Sequence, residues 1–408
     1  MNKVLCLLIS LLIILLSGCT NPTAGINDTN GDTTDYGNDP GNGYEIISGP
    51  SGPSGADIDN PFRSLTVHPT DPDTIIMGTE RNGFVKSTDG GSTWDRYRYG
   101  LRHTDDGYPE IWDIAISSSN PSIILAATLD SPGPVTGNYP SSIAGVYKST
   151  DGGQTWARKN RGLTSSRITS VRFHPSNPDT AVIGVEGGEP TFVQLAGHYY
   201  GGGIYKTADG GETWSRITLG TNDDRNGFWH MKVRDTNPAS YFTFAMNYYN
   251  RNESIGFLKS LDFGTSWSGF GTSLKTLLID HFDISNDGQI IYTNQRDTYK
   301  LHKSTDGGNT WATTSINQAN GPVAISPADQ NIVIYCGSTK IYRSVDGLLS
   351  FTLILSADNS FTEVVFAPSN PDIVYAVTTG YILYKSTDGG ASFSLIKNIR
   401  TEVLNVIS

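Results

Sequence analysis

The octapeptide Ser87-Thr88-Asp89-Gly90-Gly91-Ser92-Thr93-Trp94 decides the fold, because its pattern recurs seven times along the chain. The copies begin at Ser87, Ser149, Thr207, Ser260, Ser304, Ser344 and Ser386. Glycine reaches positive φ at little cost, and Asp and Ser/Thr side chains can bind the amides of a tight turn. Each copy therefore predicts a β-hairpin whose closing Trp or Phe covers the turn with apolar area.

The aspartates of these hairpins form a tempting set of carboxylates, but turn hydrogen bonding accounts for each of them. We therefore expect them to be structural; they are Asp89, Asp151, Asp209, Asp262, Asp306, Asp346 and Asp388. Two copies depart from the pattern. Phe263 stands at the first glycine of the fourth copy, and Leu348-Leu349 replace the second glycine and its neighbour in the sixth. We expect these two turns to be looser or to fold differently.

A second repeated element lies between the octapeptides, as in Phe173-His174-Pro175-Ser176-Asn177-Pro178, where a polar turn separates two apolar runs. Each unit then reads as strand A, this turn, strand B, a variable loop, strand C, the octapeptide and strand D. Four antiparallel strands in about forty residues are typical of a propeller blade. The sequence predicts an all-β fold, a single seven-bladed β-propeller within residues 43–408. The blades are expected at 62–100, 108–162, 167–219, 227–270, 276–315, 320–356 and 361–397. Either Tyr44-Glu45-Ile46-Ile47 or residues 401–407 could lock the ring by adding a strand to a neighbouring blade.

The first residues read as a targeting segment, with Lys3 before the apolar run Val4 to Leu16. Leu16-Ser17-Gly18-Cys19 follows and resembles a bacterial lipobox. We expect residues 1–18 to be a lipoprotein signal peptide, Cys19 to carry lipid, and the polar, Gly-rich residues 19–42 to form a flexible tether. The protein would then be an extracytoplasmic lipoprotein held at a membrane, on the cell surface or facing a periplasm. The alternatives are a plain secretory signal and an uncleaved anchor.

Charge and cysteine content exclude some classes of partner. Without residues 1–18, which hold one basic residue, the chain has 28 basic and 40 acidic residues, a net charge of −12. Nucleic-acid affinity rests on Lys and Arg contacts to phosphate, so we expect no nucleic-acid partner. Cys336 is the cysteine that remains after Cys6 and Cys19, and it reads as a small buried hydrophobe. We expect no metal, no cofactor and a monomer.

Antiparallel strands place the A–B and C–D turns on one face of the ring and the B–C and D–A loops on the other. The longest loops belong to the second face of blades 2–4, and variable loops on a rigid scaffold are the usual place for binding. We expect this face to bind a polysaccharide or an extracytoplasmic protein; the alternative is that its side chains pack their own loops. The expected binding residues are Tyr108, Trp112, Tyr139, Tyr199, Tyr200, Asp223, Arg225, Trp229, His230, Tyr248 and Tyr249.

The octapeptide resembles the Asp box, the bacterial neuraminidase repeat. Combined with His-Pro-Ser-Asn-Pro-Asp turns, it makes residues 62–397 similar to xyloglucanase-type glycoside hydrolases and to sortilin-type propellers. The first family has two propellers in tandem, each with one catalytic aspartate, whereas this chain has repeats for one. Single-propeller photosystem assembly factors are closer in size and bind protein. Sialidases have six blades, which disagrees with seven octapeptides.

The resemblance to xyloglucanases also implies a catalytic position after strand B of blade 1, where Glu80 stands in Thr79-Glu80-Arg81-Asn82-Gly83. A glycosidase needs two carboxylates beside the scissile bond, and the second would come from Asp106, Glu186 or Asp224. The alternative function is therefore a glycoside hydrolase that acts on β-glucan, and the leading expectation is a propeller that binds without catalysis.

Overall fold

Seven four-stranded antiparallel sheets form the protein, so the predicted all-β seven-bladed propeller is confirmed. The computed structural model describes residues 45–46, 64–80, 82–103, 108–129, 143–187, 202–220, 223–235, 239–247 and 250–399. The blades agree with the predicted ranges to within a few residues. No helix in these ranges is long and apolar enough to cross a membrane.

Each blade contributes strands A, B, C and D in chain order. They are Ser64–Val67, Ile75–Gly78, Phe84–Ser87 and Asp95–Tyr97 in blade 1; Glu110–Ile116, Ile124–Leu129, Val146–Ser149 and Ala157–Arg158 in blade 2; Ile168–His174, Asn177–Val185, Gly203–Thr207 and Ser215–Ile217 in blade 3; Gly227–Arg234, Ser240–Met246, Gly256–Ser260 and Ser268–Phe270 in blade 4; Ile279–Ile284, Ile291–Gln295, Lys300–Ser304 and Ala312–Thr313 in blade 5; Val323–Ile325, Val333–Gly337, Lys340–Ser344 and Thr352–Ser356 in blade 6; and Phe361–Ala367, Asn370–Thr378, Ile382–Ser386 and Ser394–Asn398 in blade 7. Short 3-10 helices lie at Asp223–Arg225, Arg251–Glu253 and Thr272–Leu274.

Apolar strands B and C form the cores, which lie between neighbouring blades. Strand Ile124–Leu129 is buried at every position, because both faces of its sheet are covered by the adjacent sheets. Leu125 and Ala127 of blade 2, for example, share one cluster with Val171 and Ile183 of blade 3. Such two-sided burial explains why strand B reads as a continuous apolar run and does not alternate. Each blade therefore depends on its neighbours for part of its core.

Blade 7 closes the ring by packing directly on blade 1. Val377 and Leu383 share a core cluster with Val67 and Ile75. The Tyr375 hydroxyl also donates a hydrogen bond to the Pro72 carbonyl at 3.0 Å. All four strands of blade 7 come from residues 361–398, and none of the described strands is exchanged between the chain ends.

The two chain segments considered as ring locks do not add to a blade in the described structure. Glu45–Ile46 pairs antiparallel with Arg102–His103, which lies in the loop between blades 1 and 2. The first suggestion was therefore wrong about the partner of this segment. The second, residues 401–407, lies outside the described residues. In the described residues, side-chain packing between blades 7 and 1 closes the ring.

The Asp-box turns are held by side-chain hydrogen bonds to the turn backbone. In blade 2, Asp151 Oδ1 accepts hydrogen bonds from Ser149 Oγ at 2.8 Å and from the Thr155 amide at 2.9 Å. Asp151 Oδ2 accepts one from Thr155 Oγ1 at 2.6 Å. In blade 5, the corresponding bonds from Thr310 and Ser304 lower the pKa of Asp306 to about 2. These turns therefore hold an ionised carboxylate as an acceptor.

The two irregular octapeptides fold like the others, so the prediction of looser or different turns was wrong. In blade 4 the Gly264 amide donates to Ser260 Oγ at 2.9 Å, and the Ser266 amide donates to Asp262 Oδ1 at 2.8 Å. Phe263 adopts the glycine conformation with a φ of 58°. The side-chain hydrogen bonds impose the turn even where the residue disfavours it.

Blade 6 shows the same behaviour at the other glycine position. Leu348 has a φ of 70°, and its amide donates to Ser344 Oγ at 2.8 Å. The Leu348 side chain is buried in the core cluster that includes Tyr292 and Leu301, which offsets part of its backbone strain. Leu349 beside it is 87% exposed.

Replacing Phe263 separates backbone strain from side-chain packing. Both Phe263→Gly and Phe263→Ala remove the ring, which lies 4.5 Å from the His174 ring between centroids. Only glycine relieves the left-handed conformation, so we expect the Gly variant to exceed the Ala variant by about 1 kcal/mol in free energy of unfolding. Urea denaturation of the two variants measures the difference. Equal stability, or a more stable Ala variant, would contradict the strain.

Removing an Asp-box carboxylate should cost more than removing its neighbour. Asp151→Ala loses the hydrogen bonds to Ser149 and Thr155, and we expect the free energy of unfolding to fall by about 2 kcal/mol. Thr150→Ala is the matched control, because Thr150 is exposed beside Asp151 in the same turn. Denaturant midpoints of both variants provide the test, and equal midpoints would show that the turn does not need the carboxylate.

Candidate functional site

An axial channel with a volume of about 950 Å³ runs through the ring and is lined by strand A of all seven blades. Alternate residues of a strand point to opposite sides, so each strand A presents one set of side chains to this space. Five basic and six acidic side chains are among the described lining residues: Arg172, Arg225, Lys232, Arg234, Arg296, Asp113, Glu186, Asp235, Asp280, Asp283 and Glu363. The channel is thus polar and nearly balanced in charge.

Two aspartates in the channel tie neighbouring strands A together. Asp113 of blade 2 forms an ion pair with Arg172 of blade 3 at 2.5 Å. Asp113 Oδ2 also accepts a hydrogen bond from the Val171 amide at 3.0 Å. The carboxylate is therefore shared between a cation and a backbone donor of the next blade, which is a structural arrangement.

The same arrangement of carboxylate, arginine and backbone amide occurs between blades 4, 5 and 6. Asp283 of blade 5 pairs with Arg234 at 2.7 Å and accepts the Ile325 amide of blade 6 at 2.8 Å. Lys232 lies 3.8 Å from the same carboxylate, too far for a hydrogen bond. The hydrogen-bonding capacity of Asp283 is thus largely used within the protein.

Two histidines meet on one wall of the channel, with ring centroids 4.9 Å apart between His230 and His281. His230 has a φ of 51° and lies where the pairing of strand A with strand B shifts register between Trp229 and Lys232. Burial, together with nearby positive charge, lowers the pKa of His230 well below 6.5 and that of His281 to about 4. Both rings are therefore neutral at pH 7 and can donate or accept hydrogen bonds.

Glu363 of blade 7 faces the same space. Burial raises the pKa of this carboxyl from 4.5 to about 7; Asp113 and Asp283 add to the rise, while Lys232 and Arg172 oppose it. The side chain thus changes charge near neutral pH.

Two tryptophans stand at the end of the channel where strands A begin, which is the side of the B–C and D–A loops. Trp112 and Trp229 have ring centroids 5.2 Å apart, and the Trp112 indole N–H donates to Glu110 at 2.9 Å. Trp229 is buried and Trp112 is half-buried. Both line the channel. At this end Trp112 is therefore partly exposed and packs against the buried Trp229, above a polar interior.

The structure brings together several residues that the sequence placed at the site. Trp112, Trp229, His230, Glu186 and Arg225 all line the channel. Glu186 pairs with Arg167 at 2.5 Å, and Arg225 pairs with Glu253 at 3.2 Å. These ion pairs fix the charged side chains that surround the channel mouth on blades 3 and 4.

Other predicted residues lie elsewhere. Tyr108 is only 2% exposed and packs against His103 and Arg98, so the structure places it in the core and not on the loop face. Asp223 begins a 3-10 helix, and Asp224 in that helix is exposed. Tyr139, Tyr199, Tyr200, Tyr248, Tyr249 and Asp106 lie outside the described residues.

Glu80, the position matched to a catalytic aspartate, is 4% exposed and is not part of the channel lining. Glu186 does face the channel, with its carboxylate engaged by Arg167. The roles of Glu80, Asp106, Glu186 and Asp224 in catalysis remain predictions. Within the described part of the chain, no group of three or more His, Cys, Asp or Glu side chains could hold a metal ion.

The polar residues on strands A inside the channel were not among the residues predicted from the sequence, which were chosen from the long loops. The repeats nevertheless contain a pattern that predicts these residues: a charged residue stands within an otherwise apolar strand A. It occurs as Trp112-Asp113-Ile114, Val171-Arg172-Phe173, Met231-Lys232-Val233, Phe282-Asp283-Ile284 and Thr362-Glu363-Val364. A charge at the same place in several blades indicates the strand position that faces the axis.

Glu363 should make stability depend on pH. Its pKa is about 7 in the folded protein, against 4.5 as its ordinary value, so the folded state binds more protons between these pH values. The contribution of Glu363 to stability is thus greatest below pH 4.5 and declines as pH rises through 7. We expect Glu363→Gln to be more stable than the natural protein at pH 8, with the difference shrinking towards pH 4.5.

Denaturation at both pH values measures this difference. Glu212→Gln is the control, because Glu212 is exposed and pairs with Lys159 at 2.7 Å, so its removal should not stabilise the protein at pH 8. A gain for Glu363→Gln that is the same at both pH values would contradict the titration.

Comparisons with known proteins agree with this architecture. A family model described as BNR/Asp-box repeat matches residues 147–158, the C–D hairpin of blade 2. A xyloglucanase of Hypocrea jecorina is 25% identical over 255 residues, which are 56% of this chain and 29% of that protein. A xyloglucanase of Acetivibrio thermocellus is 22% identical over 364 residues, 82% of this chain and 38% of that one. The chain thus spans about a third of the length of these relatives.

Among solved structures, "YCF48 bound to D1 peptide" superposes with a TM-score of 0.55 at 15% identity, covering 85% of this chain and 97% of that one. YCF48 from Cyanidioschyzon merolae also gives 0.55, at 16% identity, with 84% and 98% covered. At this identity the likeness shows the fold alone. The chain is a seven-bladed β-propeller that carries BNR/Asp-box repeats.

Proposed function

We propose that this protein binds a neutral glycan at the mouth of its axial channel, on the B–C and D–A loop face of blades 2–4. The observation that carries the proposal is the partly exposed Trp112 at the channel end, which packs against Trp229 with ring centroids 5.2 Å apart. Aromatic faces stack on the apolar faces of sugar rings, and polar groups beneath them orient the hydroxyls.

The charge of the channel supports a neutral ligand. Its described lining holds five basic and six acidic side chains, so no strong field of one sign attracts a polyanion or a polycation. The ion pairs of Arg225 with Glu253 and of Arg167 with Glu186 flank the tryptophans and offer both donors and acceptors. Such a mixed set suits hydroxyl groups, which donate and accept.

The curated relatives suggest the first sugars to test. They are named as xyloglucanases, so a β-glucan backbone is the ligand class that we propose for this chain. We further propose that the protein displays this site outside the cytoplasm as a lipoprotein, with Cys19 as its lipidated residue. The lipobox-like Leu16-Ser17-Gly18-Cys19 supports that placement.

Hydrolysis of the glycan is the second candidate, and Glu363 is the observation that favours it. A carboxyl with a pKa of about 7 suits a general acid. A glycosidase also needs a second carboxylate, and Asp113 and Asp283, the nearby acids, are bound to Arg172 and Arg234. Binding without cleavage therefore remains the leading proposal.

Calorimetric titration of the purified protein with cellotetraose and with a xyloglucan oligosaccharide tests both ideas, with a reducing-sugar assay alongside. We expect binding without new reducing ends, and we expect Trp112→Ala to weaken it about tenfold through lost stacking. Phe351→Ala is the matched control, because Phe351 is 44% exposed on the opposite face of the ring.

The outcomes separate the candidates. Binding that is insensitive to Trp112→Ala would contradict the proposed site, and no binding of either sugar would contradict the ligand class. New reducing ends that disappear in Glu363→Gln would establish the hydrolase instead.

A further inference from the structure

Four polar side chains inside the channel have hydrogen-bonding capacity that the described part of the chain does not use. No side-chain hydrogen bond joins Glu363, Lys232, His230 or His281 to a described residue. Lys232 lies 3.8 Å from Asp283, and its charge also acts on the other three side chains. They contrast with Asp113 and Arg172, which bind each other in the same channel. All four are only partly buried and line the channel, so their polar atoms are accessible to a polar occupant.

The four side chains come from three different blades and converge on one space. His230 and Lys232 lie on strand A of blade 4, His281 on strand A of blade 5, and Glu363 on strand A of blade 7. All four line the same channel. Blades 4 and 7 are not adjacent, so Glu363 and Lys232 approach the axis from separate arcs of the ring.

Backbone strain marks the same place. His230 holds a φ of 51° within a strand, a left-handed conformation that non-glycine residues rarely adopt. Its neighbour Trp229 belongs to the tryptophan pair, so one irregular stretch of strand sets both the aromatic mouth and the imidazole beneath it. Such strain occurs in the structural turns at Phe263 and Leu348 as well as at ligand sites, and at His230 it lies in the channel wall.

The chemistry of the four groups selects hydroxyls as partners. At pH 7 the set holds one ammonium, two neutral imidazoles and one carboxyl that titrates near that pH. A simple anion would satisfy Lys232 and oppose Glu363, and a simple cation would do the reverse. A hydroxyl group can donate to the carboxylate and accept from the ammonium, and either ring can play both roles.

The shape of the space restricts which part of a glycan can enter. Strands A of all seven blades surround the channel, so a polymer lying across the face cannot slide in sideways. Only a chain end or the tip of a branch can pass the tryptophans and descend between the strands.

We propose that the axial channel is a subsite for a terminal sugar residue of a neutral glycan, with Glu363 and Lys232 as the residues that bind its hydroxyls. This inference rests on the proposed glycan binding and adds that the protein binds the ends of glycan chains. His230 and His281 line the wall against which the terminal ring lies.

Binding stoichiometry distinguishes an end from an internal segment. Fractions of an unbranched mixed-linkage β-glucan, prepared in at least three chain lengths, are titrated against the full protein by calorimetry. We expect the number of proteins bound per chain to stay constant as the chains lengthen. A number that rises in proportion to length would overturn the channel subsite while leaving glycan binding on the face intact.

Variants test the two residues directly. We expect Glu363→Gln and Lys232→Met each to weaken binding of cellotetraose about tenfold, as expected for one lost hydrogen bond to a charged group. Glu212→Gln and Lys300→Met are the matched controls, since both residues are exposed and outside the channel. Far-ultraviolet circular dichroism confirms that each variant is folded before titration.

The results for the variants have distinct meanings. Unchanged affinity in folded Glu363→Gln and Lys232→Met, together with loss in Trp112→Ala, would overturn the subsite and keep the proposed function. If the natural protein binds a glycine-containing dipeptide and none of the glucans, a zwitterion occupies the channel, and both the subsite and the proposed function are overturned.

Discussion

Face-to-face packing of neighbouring sheets is the constraint on which this molecule depends. No blade buries its own apolar faces, so each gains its core from the sheets on either side, and the last blade must meet the first. Blade 7 does so through Val377 and Leu383 against Val67 and Ile75, and none of the described strands is shared between the chain ends. Because side-chain packing joins blade 7 to blade 1, the ring closes only when all seven sheets pack against their neighbours.

The channel follows from the same constraint. Seven twisted sheets that pack side by side leave a space where their innermost strands meet, and the edges of those strands cannot all be covered by apolar side chains of other blades. Asp113 and Asp283 use this position to bind the backbone amides of Val171 and Ile325 in the next blade. Polar residues on strand A thus reinforce the ring. Others, such as Glu363 and Lys232, line the channel without a side-chain hydrogen bond to a described residue.

Three residues without a glycine's conformational freedom adopt a left-handed backbone conformation, and different interactions hold them in it. At Phe263 and Leu348 the Ser and Asp side chains of the Asp box hold a left-handed turn against the preference of the residue. At His230 an irregular strand pairing holds a similar conformation beside the channel. The first two keep a structural turn, whereas the third lies in the wall of the channel.

The amino-acid sequence by itself determined the architecture: seven octapeptides, spaced by apolar runs, specify seven hairpins and hence seven blades. It did so because turn chemistry and strand periodicity are local properties that one stretch of chain carries alone. It also indicated Trp112, Trp229 and His230 through their place beside long loops. The sequence did not show that Tyr108 is buried or that Phe263 keeps the Asp-box turn. Both depend on contacts with neighbouring side chains.

Only the tertiary structure decided which polar residues meet. Glu363, Lys232 and His281 are distant in sequence, and each looks like an ordinary charged or polar residue in a strand until the ring closes. Their shared channel, the missing hydrogen-bond partners among the described residues, and the raised pKa of Glu363 all arise from burial by other blades. A property that depends on surroundings from several parts of the chain exists only when those parts are assembled.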